Sequence, residues 1–345
     1  RSDQETGSLW VSESGSESDA ERACSQAAGG AQGVRHLRVA AAASGQRVDN
    51  YLMTQLKGVP RSLVYRLLRR GEVRVNKGRV KPHQRLQAGD DVRLPPMRTA
   101  AKTEPAAPPA GLRSELAGRI LFEDERVLVL DKPAGVAVHG GSGVAYGVIE
   151  ALRAARPGQD LELVHRLDRE TSGCLLIAKR RSALRHLHAQ LRDGAVGKRY
   201  QALLLGPLAG AVQRVDLPLA KSQLQGGERM VQVDSIAGKP ALTVFRRVAA
   251  YGGMTLVDID LHTGRTHQIR VHAAAIGAPV AGDDKYGRPE HRALARELGL
   301  KRLFLHAAEL RFRPREEAPA VAVRAPLPAA LAAVVQRAEE QARAL

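Results

Sequence analysis

His165-Arg166-Leu167-Asp168-Arg169-Glu170-Thr171-Ser172-Gly173 runs directly into Cys174-Leu175-Leu176-Ile177-Ala178-Lys179. The first nine residues are charged and polar around one leucine, which reads as a loop. The next six form an apolar run of strand length and predict a buried β-strand. Further strand candidates lie at Ile120–Glu123, Val127–Asp131, Tyr200–Leu205, Leu242–Val248 and Thr255–Leu261. Helical spacing marks Ser182–Asp193, Arg265–Ile276, His291–Leu298 and Leu331–Ala344. Strands outnumber helices and do not alternate regularly with them. Residues 119–345 are therefore expected to form one α+β domain on a mixed or antiparallel sheet, not a doubly wound parallel one.

Upstream, residues 46–97 read as a separate small α+β domain. Val48, Leu52 and Leu56 recur at helical spacing after a possible cap at Ser44. Pro60 suits the opening of a second helix, Leu63, Leu67 and Leu68 give it an apolar face, and Gly71 ends it. Glu72–Asn76 alternates like a strand, Lys77-Gly78 reads as a turn, and Asp91–Leu94 as another strand. Five prolines within 95–118 mark an extended Pro/Ala-rich linker over 98–118. Residues 1–35 read as a disordered acidic, Ser-rich tail; the first 33 hold seven Ser, six acids and two Arg.

The chain has 53 Lys+Arg against 36 Asp+Glu, a net charge of +17. The first 33 residues carry −4, so the remaining 312 carry +21. Such an excess points to a polyanionic partner. Aromatic residues are only 3%, which argues against readers built mainly on stacking platforms. Cys24 and Cys174 stand far apart, so neither a disulfide framework nor a cysteine zinc site is expected; this usage suits a reducing cytoplasm. No apolar run approaches the ~18 residues of a membrane span.

Two places concentrate chemistry. Between Lys57 and Arg85 stand ten basic residues and one acid. Arg61, Arg66, Arg69 and Arg70 belong to the second helix, and Arg74 and Lys77 to the strand and turn behind it. Like charges so placed repel unless an anion such as a phosphate backbone faces them, and that outweighs the reading of a plain solvated face. The second place is Asp168 between Arg166 and Arg169. Cationic neighbours favour an ionised carboxylate, available as nucleophile or base; taken locally, an ordinary surface Arg–Asp pair is the better reading. Tyr200 opens a strand at Lys198-Arg199-Tyr200; taken alone a strand tyrosine is usually core, the other reading being a hydroxyl beside a bound base. In Leu261-His262-Thr263-Gly264-Arg265-Thr266-His267-Gln268-Ile269-Arg270-Val271-His272 a helix is expected to start near Arg265, with backbone N–H groups able to hold an anion. Its histidines, five residues apart, match no metal spacing, so no metal site is expected.

Residues 59–76 and 86–94 resemble the RNA-binding domain shared with small-subunit ribosomal protein S-four. H-R-L-D-R-E-T-S-G at 165–173, K-R-Y-Q-A at 198–202 and L-H-T-G-R-T-H-Q-I-R-V-H at 261–272 resemble the RluA-type family of RNA pseudouridine synthases. D-K-P-A-G at 131–135 and P-V-A-G-D-D-K-Y-G at 279–287 support this likeness. The resemblance implies a cofactor-free isomerase in which Asp168 is the essential carboxylate. Tyr200 is then the tyrosine at the target base, with a possible part in proton removal, and Arg270 the basic partner of the aspartate. Arg166 would help replace the flipped nucleotide, while Arg265 and His267 would order the loop or the RNA. The wording of 50–94, with H-R-L-D rather than the G-R-L-D of small-subunit members, implies large-subunit (23S) rRNA as partner. The expected protein is a monomer of the bacterial cytoplasm, with no membrane partner. A non-catalytic ribosome assembly factor, a synthase acting on another RNA, and a hydrolase that releases uracil are the alternatives.

Overall fold

The computed structural model describes residues 33–56, 59, 61–96, 107–141, 144–223 and 229–344. The chain divides into two compact units between residues 104 and 105. Most of the acidic tail, Pro60 and residues 97–106 lie outside the described residues.

The amino-terminal unit contains β1 (Arg35–Arg38), α1 (Val48–Gln55), α2 (Arg61–Arg70), β2 (Arg74–Val75), β3 (Gly78–Arg79) and β4 (Asp91–Leu94). Its strands pair antiparallel in the order β1-β4-β2-β3. β1 was not expected. It pairs Arg35 with Leu94, so the domain begins before residue 46 and the tail stops short of 35. Ser44 does not cap α1: Arg47 holds the cap position, and Asp49 in the first turn takes the Arg47 guanidinium and the Tyr65 hydroxyl. In α2, Val64, Leu67 and Leu68 are buried while Leu63 is only half-buried; Arg66, Arg69 and Arg70 stay exposed. Gly71, at φ +69°, closes the helix. Its N–H donates to Leu68 and that of Glu72 to Leu67, which satisfies two orphan carbonyls. The hairpin turn is Asn76-Lys77, one residue earlier than expected. Both residues have positive φ, and the Asn76 amide locks onto Asp90 and the Asp91 N–H.

The second unit opens with α3 (Ala110–Ala117), inside the stretch expected to be linker. Pro109 precedes its first turn, where a missing N–H costs nothing, and Leu116 is fully buried. There follow β5 (Ile120–Glu123), β6 (Val127–Lys132), α4 (Val148–Ala155), β7 (Glu162–Leu163), β8 (Ser172–Ala178), α5 (Arg181–Arg192), β9 (Gly197–Leu204), β10 (Val212–Asp216), β11 (Leu219–Gln223), β12 (Arg229–Val233), β13 (Leu242–Tyr251), β14 (Met254–Leu261), α6 (Gln268–Ala275), α7 (Pro289–Glu297), β15 (Leu305–Phe312), β16 (Val321–Arg324) and α8 (Ala329–Ala344). The main sheet runs β10-β13-β14-β9-β15-β8-β6-β5, with β16 on β15 and β7 on β8. Among the described residues its pairings are antiparallel except β15 on β8. This is the mixed sheet of an α+β fold.

Both sheet faces are covered. Leu128, Leu130, Leu175 and Ile177 join a core with Val148 and Leu152 of α4; Val127, Val129, Cys174 and Leu176 face the other way, toward Ala183 and Leu187 of α5. Burial on both faces explains why β8 is a continuous apolar run. Its start is set at Ser172 because Gly173 lies against Ala307 of β15.

One ion-pair cluster ties the β5 edge to α4 and the end of β8. Glu123 accepts two bonds from Arg156, at 2.5 and 2.9 Å, and one from Lys179 at 2.7 Å. The Arg156 bonds, helped by Lys179 and opposed by burial, pull its pKa down to about 2. A depressed carboxylate stabilises the fold above its ordinary pKa, and that contribution is lost as pH falls through the folded value. Water screens the cluster, so it is worth on the order of 1 kcal/mol. Urea unfolding should show wild type more stable than Glu123→Gln by that margin near pH 7. The gap should close as pH falls from 4.5 toward 2.

Candidate active site

The loop between β7 and β8 carries Asp168 and is held from beneath by two basic side chains, the buried Lys132 and the half-buried Arg302. Lys132, fully buried, donates from Nζ to the carbonyls of Pro133 (2.8 Å), Val136 (2.7 Å) and Arg169 (3.0 Å). Burial pushes its pKa down to about 7. Arg302 donates to the Ser172 hydroxyl at 2.7 Å and to the Glu170 carbonyl at 3.4 Å. Ser172 in turn donates to Nδ1 of His306, whose Nε2 donates to the Ala325 carbonyl. Lys132, Ser172, Arg302 and His306 thus all have partners under the loop, and together they pin its backbone.

Asp168 is one-quarter exposed and lines a cleft of about 580 Å³. Its Oδ2 lies 3.8 Å from Arg270 Nη1 and 3.9 Å from His267 Nε2. Arg270 projects from α6 and is itself clamped by Asp283: Nε and Nη2 each donate to a carboxylate oxygen at 2.7 Å. The Asp283 carboxylate has no exposed surface. This geometry is the bidentate one that repays desolvation of both ions. Tyr200, on β9, is in the cleft wall and otherwise packed in the core. Burial and the Asp168 charge push its hydroxyl pKa up, so at neutral pH it is a phenol, a donor and a ring face rather than a base. Arg166 and Arg265 are exposed at the cleft; Arg265 Nε donates to the Pro240 carbonyl.

A family model described as RNA pseudouridylate synthase matches residues 126–275, and an S4 domain model matches residues 46–92. A relative in Salmonella typhimurium named ribosomal large subunit pseudouridine synthase C is 52% identical over 307 residues, 88% of this chain and 96% of the relative. The chain belongs to the RNA pseudouridylate synthase family. The same-named protein of Pasteurella multocida is 53% identical over 86% of this chain and 91% of its own. Among solved structures, human RNA pseudouridylate synthase domain containing 4 matches with a TM-score of 0.55 and 25% identity, over 66% of this chain and 95% of that one.

Within this family member, Asp168, Tyr200, Arg270, Arg166, Arg265 and His267 all meet at one cleft. Three expectations need correction. First, Arg166 and Arg169 do not pair with Asp168. The loop turns at Thr171 N–H to Asp168 O, and Arg169 is drawn off to the Gly135 carbonyl. The cation facing the carboxylate comes from a distant helix. Second, α6 starts at Gln268, not near Arg265, because His267 adopts the left-handed conformation at φ 53°, ψ 19°. Third, the Arg265 N–H at this turn is not open to an anion: it donates to the Gln268 side chain. The three histidines also part company, with His262 exposed, His267 in the site and His272 buried between Thr243 and the Leu217 carbonyl. Among the described residues no three His, Cys, Asp or Glu side chains gather as metal ligands.

Local reading missed Lys132, Arg302, Asp283 and Tyr286. Three of them lie in the supporting segments 131–135 and 279–287, where charged residues amid small ones were the available signal. Gly173 sets the loop's exit. It has φ +107°, and a Cβ there would collide with the Ala307 carbonyl. Gly173→Ala should lower unfolding stability by about 2 kcal/mol, from the φ cost plus the collision. It should also cut activity by displacing Asp168; urea melts and turnover measured on the same sample check both.

Proposed function

We propose that this chain isomerises uridines to pseudouridine in bacterial large-subunit (23S) rRNA, with Asp168 as the reacting carboxylate. The observation that carries the reading is the meeting of Asp168, Tyr200 and Arg270 in one cleft. The half-identical relatives named for the large ribosomal subunit support the substrate. The relatives' bacterial source suits the cytoplasm.

Uridine and pseudouridine are isomers. The bond from the sugar to N1 of uracil breaks, the base turns, and a bond from the same sugar carbon to C5 forms, so the balance calls for no oxidant or ATP. Asp168 acts as nucleophile at that sugar carbon or as base at its neighbour. Glycoside hydrolases usually add a second carboxylate as acid. Uracil leaves as a resonance-stabilised anion, so one carboxylate suffices, and Arg270 offsets the charge that builds beside it. The phenol of Tyr200 offers the base a ring face and an O–H donor. The target must first leave its stack, at a cost of a few kcal/mol. Arg166, exposed and making no ion pair among the described residues, is placed to take over the contacts of the flipped nucleotide.

The amino-terminal unit holds the rRNA. Arg66, Arg69, Arg70, Arg74 and Lys77 are exposed, and Arg61 belongs to the same helix.

Pseudouridine mapping on 23S transcripts should find modification by wild type and none by Asp168→Asn. Equal modification by both would remove Asp168 from the chemistry. An inactive wild type on every rRNA would favour the assembly-factor reading, and free uracil in the products would mark hydrolysis. Replacing Arg61, Arg66, Arg69 and Arg70 by Gln should weaken rRNA binding. It should also flatten the log K against log salt slope by roughly 0.7 to 0.9 per lost phosphate contact. An unchanged salt series would assign the grip elsewhere.

A further inference from the structure

His267 is strained and half-buried in a way the reaction as described does not use. It is a non-glycine residue at φ +53°, and such residues cost energy unless their surroundings hold them. What holds this one is Tyr286. The two rings meet edge to face at 5.6 Å, and the Tyr286 hydroxyl lies 2.8 Å from His267 Nδ1. A third partner gives the bond its direction. The Val231 N–H, on β12, points to the Tyr286 oxygen at 3.2 Å. That N–H only donates, so the Tyr286 oxygen accepts there, and among the described residues His267 Nδ1 is the acceptor within hydrogen-bond reach of the phenol proton. Nδ1 is then an acceptor. In a neutral imidazole the ring proton must sit on Nε2, the nitrogen 3.9 Å from Asp168 Oδ2.

The same segment is tied to Arg270. Asp283 clamps Arg270 and also accepts the backbone N–H groups of Lys285 and Tyr286, each at 3.0 Å. The Arg270 guanidinium lies over the Tyr286 ring at 5.1 Å. One buried carboxylate thereby orients both side chains that face Asp168. The neutral state of His267 agrees with its setting. Burial lowers its pKa; the Arg270 and Lys285 charges push the same way, against Asp168 and Asp283.

We propose that Tyr286 is a positioning residue that locks His267 as the neutral Nε2–H tautomer, so that an N–H donor rather than a bare nitrogen faces Asp168. The proposal rests on Asp168 being the reacting carboxylate. Arg270 and His267 approach the same oxygen, Oδ2, and so distinguish it from Oδ1 before substrate arrives. Separations of this kind tighten when substrate fills the cleft.

The test uses the full chain labelled with ¹⁵N-histidine. Long-range proton–nitrogen spectra of wild type should show His267 protonated on Nε2 and bare on Nδ1. In Tyr286→Phe the tautomer should become mixed and the His267 pKa should rise, because a donor to the neutral form is gone. On rRNA transcripts kcat should fall about tenfold with KM within about twofold. Two further variants leave residue 286 as Tyr and serve if Tyr286→Phe misfolds. His267→Gln puts an amide N–H near the Nε2 position, His267→Asn near Nδ1, and Gln should retain about tenfold more activity than Asn. A wild-type His267 protonated on Nδ1, equal activity of the Gln and Asn variants, or a folded Tyr286→Phe with unchanged tautomer and kcat would each overturn the proposal. Asp168→Asn in the same assay separates the readings: its full activity would remove the carboxylate assignment, whereas the tautomer spectra stand apart from turnover.

Discussion

The Arg270–Asp283 pair is the interaction on which the catalytic unit turns. A guanidinium placed in a half-closed cleft must be oriented without being used up. Asp283 supplies two charge-assisted bonds at 2.7 Å and leaves a third nitrogen, Nη1, directed at Asp168. Removing either partner would strand a buried charge, the costly way to break such a pair. Because Asp283 also gathers two backbone N–H groups, the clamp fixes the turn after β-strand pairing as firmly as it fixes the arginine.

A division of labour follows between charges that hold and charges that face the substrate. Lys132 and Arg302 spend their donors on loop carbonyls and a serine, beneath Asp168. Arg166 and, in α2, Arg66, Arg69 and Arg70 remain exposed. The net charge of the chain therefore contains two populations that composition alone does not separate: basic groups inside the fold, and basic groups exposed on its surface.

Much of the fold was legible because periodicity survives in the sequence. β6, β9, β13, β14, α5 and α8 lie within a few residues of where apolar spacing puts them. What was not legible depended on partners far along the chain. β15 reads Leu-His-Ala-Ala-Glu-Leu-Arg-Phe, rich in helix formers, and is a strand because β9 and β8 flank it. α3 sits among prolines and is a helix because Leu116 has a core to enter. At the site, Asp168 stood out locally, whereas Arg270 and His267, which arrive from about a hundred residues away, were reached through the family resemblance and not through local sequence. The reading of Arg166 and Arg169 as its partners failed because adjacency in sequence says nothing about where an extended loop points.

The parallel contact of β15 with β8 has a consequence for the order in which the protein can be made. β8 and β9 follow each other in the chain, yet β15 lies between them and pairs Ala307 with Gly173. During synthesis the first two strands emerge more than a hundred residues before the one that must separate them. A nascent chain that has not reached residue 305 has neither the central strand nor the seat for the loop of Asp168. Domains assembled from such distant pairings fold late and slowly. The small amino-terminal unit, with its own core and local hairpin, is free of this delay. The chain therefore acquires its surface cations early and the seat of the Asp168 cleft last, so that activity waits on completion of the polypeptide.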